Sequence, residues 1–150
     1  MLLNDLIGTW FLQEWDCTLD GKYHNHPFGR DAQGVISYSP SGRMSAILMK
    51  PNRSHLSVPS LVQATAEEKM MVLDGYVSYA GTWQVKDGQV IHSVDHSLLP
   101  NWIGTDLIRK ISWTAEHGPS DEPKQLILST APQKTRSGKL VVNRLRWKLK

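Results

Sequence analysis

The sequence predicts an all-β protein, a single up-and-down antiparallel β-barrel of about eight strands with one short α-helix near residues 66–74. Apolar and polar side chains alternate with a period of two over most of the chain. Short turn motifs, such as Ser41-Gly42 and Lys86-Asp87-Gly88, separate the alternating segments. Sequential hairpins of this kind favour a barrel, because closing the sheet removes its exposed edges.

The composition fits one folded domain, and we expect residues 1–150 to form it. Hydrophobic residues make up 40% of the chain and charged residues 21%, as in ordinary soluble proteins. Cys17 is the single cysteine, which excludes an internal disulfide and suits a reducing compartment. No signal-peptide pattern and no apolar run of about 20 residues is present, so a cytoplasmic protein without a membrane partner is predicted.

The net charge of +3 comes largely from basic residues near the end of the chain. These residues alternate with Val141, Leu145, Trp147 and Leu149. That alternation is typical of an amphipathic strand with a solvated face, so we do not expect a nucleic-acid partner.

Eight segments carry the strand pattern. In chain order they are GTWFLQEWD from Gly8, GVISYSP from Gly34, GRMSAILM from Gly42, YAGTWQV from Tyr79, QVIHSVDHSLL from Gln89, GTDLIRKISWT from Gly104, KQLILSTA from Lys124 and KLVVNRLRWKLK from Lys139. A polar connector, residues 117–123, is expected between the sixth and seventh segments. Gly81 lies inside a strand, which indicates close approach of another group or a sharp bend.

One segment has the period of a helix instead. Thr65 and Glu68 have the spacing of a capping box, and Gly75 is a natural stop. Ala66, Met70 and Leu73 fall on one face, which we expect to pack over a mouth of the barrel.

The first strand carries a further signal, Gly8-Thr9-Trp10. It resembles the Gly-x-Trp motif of lipocalin-type barrels, in which the tryptophan plugs the closed end. The resemblance implies that a basic residue near the last strand, Arg144 or Arg146, packs over that ring.

Longer blocks extend the resemblance from Leu6 to about Trp147. They are LIGTWFLQEWD, HPFGRDAQGVISYSPSGRMSAILMKPNR, ATAEEKMMVLDGYVSYAGTWQV and VDHSLLPNWIGTDLIRKI. Together they are similar to the small lipocalin-like domain family of bacteria and fungi. The resemblance implies a barrel with a central pocket. Some members accompany secondary-metabolite gene clusters, where similar small barrels act as cyclases, isomerases or dehydratases; that step is analogy, because fold does not fix function.

Candidate catalytic residues are His92 and His96. Strand alternation places both on the face that also carries Val90, Val94 and Leu98, which we expect to point into the barrel. Histidine suits general acid–base chemistry near neutral pH. A hydrogen-bonded structural role is the alternative.

Candidate ligand-binding residues are aromatic or polar side chains near the expected pocket: Tyr38, Tyr79, Trp83, Asn101, Trp102 and Arg109. Arg109 shares a face with apolar residues, so it serves either a buried salt bridge or an anionic ligand. No metal site or cofactor is predicted, since the chain lacks the relevant fingerprints.

Three functions remain open from the sequence. The first is a cofactor-independent cyclase, isomerase or dehydratase of secondary metabolism with a lumen histidine as general acid or base. The second is a non-catalytic carrier of a small apolar, polyketide- or terpenoid-like ligand. The third is an interaction protein whose barrel is packed solid, as small eight-stranded barrels can be.

Overall fold

A computed structural model describes residues 3–114 and 124–150. The connector expected at 117–123 lies outside these residues. Within the described ranges, ten strands form one sheet: β1 (Gly8–Leu19), β2 (Lys22–Asn25), β3 (Gln33–Tyr38), β4 (Arg43–Met49), β5 (Tyr76–Lys86), β6 (Gln89–Ser97), β7 (Asp106–Trp113), β8 (Leu126–Thr130), β9 (Gln133–Lys134) and β10 (Leu140–Leu149).

The sheet closes on itself. Neighbours follow the order β2-β1-β3-β4-β5-β6-β7-β8-β10-β9, and β1 also pairs with β10. That pairing runs antiparallel from Trp10 opposite Leu149 to Leu19 opposite Val141. The short strands β2 and β9 flank the ring, so the remaining eight make an antiparallel barrel. The predicted fold class is confirmed.

Tight turns join several strands as the sequence predicts. Between β5 and β6, Asp87 and Gly88 have φ angles of 53° and 74°, a left-handed pair that suits a two-residue hairpin. At the other end of the barrel, longer connections join β4 to β5 and β6 to β7. We call this second end the mouth.

The opposite end of the barrel is closed by its first tryptophan. Trp10 is 2% exposed, and its indole Nε1 donates to the carbonyl of Leu6 at 2.9 Å. Its ring lies 5.9 Å from that of Trp113. Trp10 belongs to one apolar core cluster that includes Leu12 on β1 and Leu145 and Trp147 on β10.

The prediction that Arg144 or Arg146 packs over the Trp10 ring is wrong. Arg144 lies opposite Asp16 and bonds its carboxylate at 2.7 and 3.0 Å, while Arg146 contacts Glu14 at 3.2 Å. Strand alternation therefore turns both arginines away from the core. A cation near this end lies over Trp113 instead: the Nζ of Lys124, 4.9 Å from the ring centroid.

The α-helix α1 (Ala66–Asp74) begins where the sequence predicts. The Thr65 side chain accepts from the Glu68 amide at 3.1 Å, and the Glu68 carboxylate accepts from the Thr65 amide at 3.3 Å. The prediction that its apolar face packs over a mouth of the barrel is wrong. No residue of α1 is buried, and Met70 and Leu73 are 63% and 56% exposed.

A β-bulge interrupts the pairing of β5 with β6. Ala80 lies opposite His96 while Gly81 lies opposite Val94, so Asp95 is an extra residue on β6. A Cβ atom on Gly81 would lie 1.9 Å from the backbone oxygen of Ser93. The close approach expected at Gly81 is thus a strand-to-strand contact.

Candidate ligand-binding site

The barrel interior contains a cavity of about 480 Å³. It extends from the level of His92 to residues at the mouth. Its apolar walls come from seven strands of the ring and from the residues next to them: Trp15, Ile36, Ala46, Leu48, Val77, Trp102, Leu107, Ile108, Leu128, Ala131, Leu145 and Trp147. Its polar lining is Tyr79, His92, Asp106, Arg109, Thr130, Gln133 and Asn143. A barrel packed solid is therefore not what this sequence forms.

Alternation along the strands builds these walls. On β4, the inward-facing Ala46 is buried and the adjacent Ser45 is exposed. Ala46 lies between Ile36 on β3 and Tyr79 on β5 in the strand register. A small residue at this central position leaves space that its larger neighbours do not fill. The cavity follows from side-chain size as well as from barrel closure.

A chain of hydrogen bonds forms the floor of the cavity. The Tyr38 hydroxyl lies 2.7 Å from Nε2 of His92, and the Tyr79 hydroxyl lies 2.9 Å from Nδ1 of the same ring. Both imidazole nitrogens therefore have a tyrosine partner. His92 and Tyr38 are each 1% exposed.

Burial moves the pKa of each member of this chain away from neutrality. Desolvation, helped by the positive charge of Arg109, lowers the pKa of His92 to about 3. Desolvation also raises the pKa of Tyr79, against the opposing effect of Arg109. The pKa of Tyr38 is raised for the same first reason, and the neighbouring Tyr79 raises it further. At neutral pH all three side chains are uncharged.

Arg109 introduces a positive charge into this site from β7. Its Nη1 donates to the carbonyl of Ile108 at 3.1 Å. Among the described residues, no carboxylate lies within 4.0 Å of its guanidinium; Asp106, the acidic residue of the lining, instead accepts from Ser93 at 2.8 Å. Of the two roles expected for Arg109, the salt bridge is therefore not formed.

Trp102 lies next to Tyr79, on the side of the hydrogen-bond chain that faces the mouth. It follows Pro100 in a 3-10 turn, Pro100–Trp102, between β6 and β7. Its ring meets that of Tyr79 edge-on, with centroids 5.6 Å apart. Asn101, its neighbour in the turn, is exposed and is not part of the lining.

The structure separates the two histidines. His92 faces the cavity, whereas the His96 side chain is 81% exposed and bonds the carboxylate of Asp95 at 2.6 Å. The prediction that His92 and His96 share the inward face is wrong for His96, and the bulge in β6 is the reason. The extra residue Asp95 reverses the side-chain directions that follow it.

Two other candidates lie below the cavity. Tyr38 contacts the site through His92 rather than through the lining. Trp83 packs on Tyr38 with centroids 4.9 Å apart, and its indole Nε1 donates to the carbonyl of Ser39 at 3.0 Å. Trp83 thus supports the hydrogen-bond chain from the closed end.

Several lining residues were not expected from the sequence. Trp15 lines the cavity and donates from Nε1 to Asn143 at 2.9 Å, a bond across the β1–β10 seam. Trp147 also lines it, and its buried Nε1 has no hydrogen-bond partner in the described part of the chain. Alternation on β10 predicts an inward Trp147, but it cannot separate a cavity wall from filled core.

The family model for the lipocalin-like domain matches residues 7–149, which is almost the whole chain. This chain belongs to the lipocalin-like domain family. The resemblance seen in the sequence blocks is confirmed. In the structure, the motif Gly8-Thr9-Trp10 lies at the start of β1.

A curated relative of this lipocalin-like protein is the 4′-hydroxy-3′-methoxypropiophenone carrier protein ppsC of Aspergillus oryzae (strain ATCC 42149 / RIB 40). The two are 34% identical over 70 residues, which cover 41% of this chain and 63% of the relative. The chain thus spans less than two thirds of that protein's length. No solved structure matches the chain. Across residues 3–114 and 124–150, no helix has the length and apolar character needed to cross a membrane.

Proposed function

We propose that this lipocalin-like protein is a carrier that holds a small, mostly apolar, oxygen-bearing aromatic molecule in the barrel cavity. The observation that carries the proposal is the cavity of about 480 Å³ with apolar walls and a small polar floor. Ligand sites in proteins commonly have this size and this distribution of polarity.

The relative gives the ligand class. Its name states that it carries 4′-hydroxy-3′-methoxypropiophenone, an aryl ketone with a phenolic hydroxyl. Such a molecule has a flat ring for walls such as Leu128 and Trp147, and oxygen atoms for Tyr79 and Arg109. The cavity has both kinds of lining, apolar side chains for the ring and polar side chains for the oxygen atoms. An oxygen-bearing aromatic of this kind fits better than a terpenoid-like ligand, since the ring and the oxygens together match the lining.

Proton-transfer catalysis, as a cyclase, isomerase or dehydratase, receives less support. A general base at neutral pH needs a pKa near that pH and a free nitrogen or oxygen. His92 has a pKa near 3 and both its nitrogens are engaged by tyrosines. Tyr79 has a raised pKa, so it is a hydrogen-bond donor but a weak acid. His96 lies outside the cavity. These features favour binding over turnover.

Filling the cavity tests the proposal. Ala46→Phe adds a phenyl ring at a buried lining position, whereas Ser45→Phe adds the same ring on the exposed outer face of the same strand. We expect 4′-hydroxy-3′-methoxypropiophenone to bind the unmodified protein and Ser45→Phe with similar affinity. In Ala46→Phe we expect binding to weaken by about a hundredfold or more, because the ring occupies the ligand's volume.

Isothermal titration calorimetry provides the measurement, and thermal unfolding checks that both variants are folded. Equal affinity in the two phenylalanine variants would show that the compound binds elsewhere. A folded, unmodified protein that fails to bind the compound or its ring-substituted analogues would contradict the carrier proposal.

A further inference from the structure

The direction of the hydrogen bonds in the floor can be worked out from donor and acceptor counts. In the described part of the chain, the Tyr38 hydroxyl has one hydrogen-bond partner, Nε2 of His92. A buried hydroxyl proton left unpaired costs free energy, so Tyr38 donates and Nε2 accepts. A neutral imidazole then carries its proton on Nδ1, and Nδ1 donates to the Tyr79 oxygen.

This arrangement leaves the Tyr79 proton free. The Tyr79 oxygen accepts from His92, and its neighbour Arg109 has donors but no acceptor. The Tyr79 O–H therefore points into the cavity, where Tyr79 is part of the lining. The guanidinium of Arg109, without a carboxylate partner among the described residues, lines the same cavity.

We propose that Tyr79 and Arg109 form a binding site for a negatively charged ligand oxygen, a phenolate or an enolate, and that Tyr38 and His92 position the Tyr79 proton toward it. The inference rests on the proposed carrier function and specifies which ligands the cavity prefers. A hydroxyl donor beside a fixed positive charge in an apolar cavity stabilises an oxygen anion more than a neutral ether or ketone. The anion in turn supplies a negative charge for the Arg109 guanidinium, whose contacts with the Ile108 carbonyl and the Tyr79 hydroxyl are both to uncharged groups.

Asp106 is the acidic group of the described lining and the one that opposes an anion. It lies at the first residue of β7, is exposed, and is hydrogen-bonded to Ser93. Water screens its charge more than that of a group deeper in the barrel. The positive charge of Arg109 therefore dominates the floor.

A spectroscopic titration tests the site with two probes. The first is 4′-hydroxy-3′-methoxypropiophenone, whose phenolate has its own absorption band. The second is 3′,4′-dimethoxypropiophenone, which cannot ionise. We expect the bound phenol to ionise at a pH lower than the free compound by about one unit, and the dimethoxy compound to bind about tenfold more weakly than the phenolic one at a pH above the pKa of the free phenol.

Variants of the two donors assign the effect. We expect Arg109→Gln to remove the pKa shift of the bound phenol and Tyr79→Phe to reduce it. If both probes bind equally and the phenol pKa is unchanged, the oxygen site is wrong while the carrier proposal stands. If neither probe binds the unmodified protein, the carrier proposal fails and the oxygen site fails with it.

Tyr38 is a positioning residue in this scheme, because it reaches the ligand through His92 and Tyr79. Tyr38→Phe removes the hydroxyl that donates to Nε2, so the imidazole proton is no longer confined to Nδ1. We expect weaker binding of the phenolic probe and a change in the nitrogen chemical shifts of His92. The control is Tyr23→Phe, which breaks a comparable tyrosine–histidine bond, 2.8 Å to Nδ1 of His26, at an exposed site. Unchanged His92 nitrogen shifts in Tyr38→Phe would overturn the assigned proton positions.

Discussion

At the scale of single residues, the burial of His92 links the site to the stability of the fold. The ring is neutral in the folded protein down to a pKa near 3, whereas in the unfolded chain it takes up a proton near pH 6.5. The unfolded state therefore binds more protons between these values. The contribution of the buried neutral His92 ring to the free energy of unfolding is therefore complete above pH 6.5 and is lost as the pH falls toward 3.

Replacing His92 removes this dependence. Between pH 6.5 and about pH 4, we expect the unmodified protein to lose roughly 3 kcal/mol more of its unfolding free energy than His92→Gln does. Urea unfolding across this pH range gives the difference. The exposed His96 serves as control, and His96→Gln is expected to follow the unmodified protein. Parallel pH curves for His92→Gln and the unmodified protein would show that His92 is not buried as a neutral ring.

At the scale of secondary-structure elements, the bulge in β6 explains what strand alternation could and could not predict. Alternation placed His92 in the barrel correctly, because Val90, His92 and Val94 precede the extra residue. It misplaced His96, because no residue type marks a bulge with certainty. Gly81 on the partner strand was the available signal, and its significance depended on a contact across strands that a sequence does not display.

Gly81 should therefore resist substitution. In Gly81→Ala the new methyl group meets the backbone oxygen of Ser93, which no rotamer change can relieve. We expect a loss of on the order of 3 kcal/mol in unfolding free energy, or failure to fold. Gly75, at the end of α1, is the control: its φ is −112° and the nearest atoms to an added Cβ are 3.5 Å away on the Lys50 side chain.

Chemical denaturation of both glycine variants gives the comparison. Gly75→Ala is expected to unfold within about 0.5 kcal/mol of the unmodified protein. Equal stability of the two alanine variants would mean that the β5–β6 contact has room that the structure does not show.

The helix shows a different limit of sequence patterns. The capping box of Thr65 and Glu68 fixes where α1 begins, since it depends on neighbouring residues alone. The spacing of Ala66, Met70 and Leu73 predicted a packed face, but none of these residues is buried. Helical spacing gives the geometry of a face and not what covers it.

At the scale of the whole molecule, the barrel was predictable because every level of the sequence agreed on it. Period-two alternation, glycine-bearing turns and the first-strand motif all specify sequential antiparallel strands that close. The cavity was not predictable in the same way. Inward residues such as Ala46 and Leu128 come from strands that are far apart in the sequence. Whether together they fill the interior depends on the combined volume of all these side chains, which the pattern of a single strand does not give.

The most direct measurement is to locate the bound molecule. Nuclear Overhauser contacts between 4′-hydroxy-3′-methoxypropiophenone and the protein would be recorded with methyl-labelled alanine and leucine. We predict contacts from the ligand to the methyl groups of Ala46, Leu48 and Leu128, all of which line the cavity. Contacts confined to exposed leucines such as Leu73 and Leu99, with none to these three, would contradict a ligand held inside the barrel.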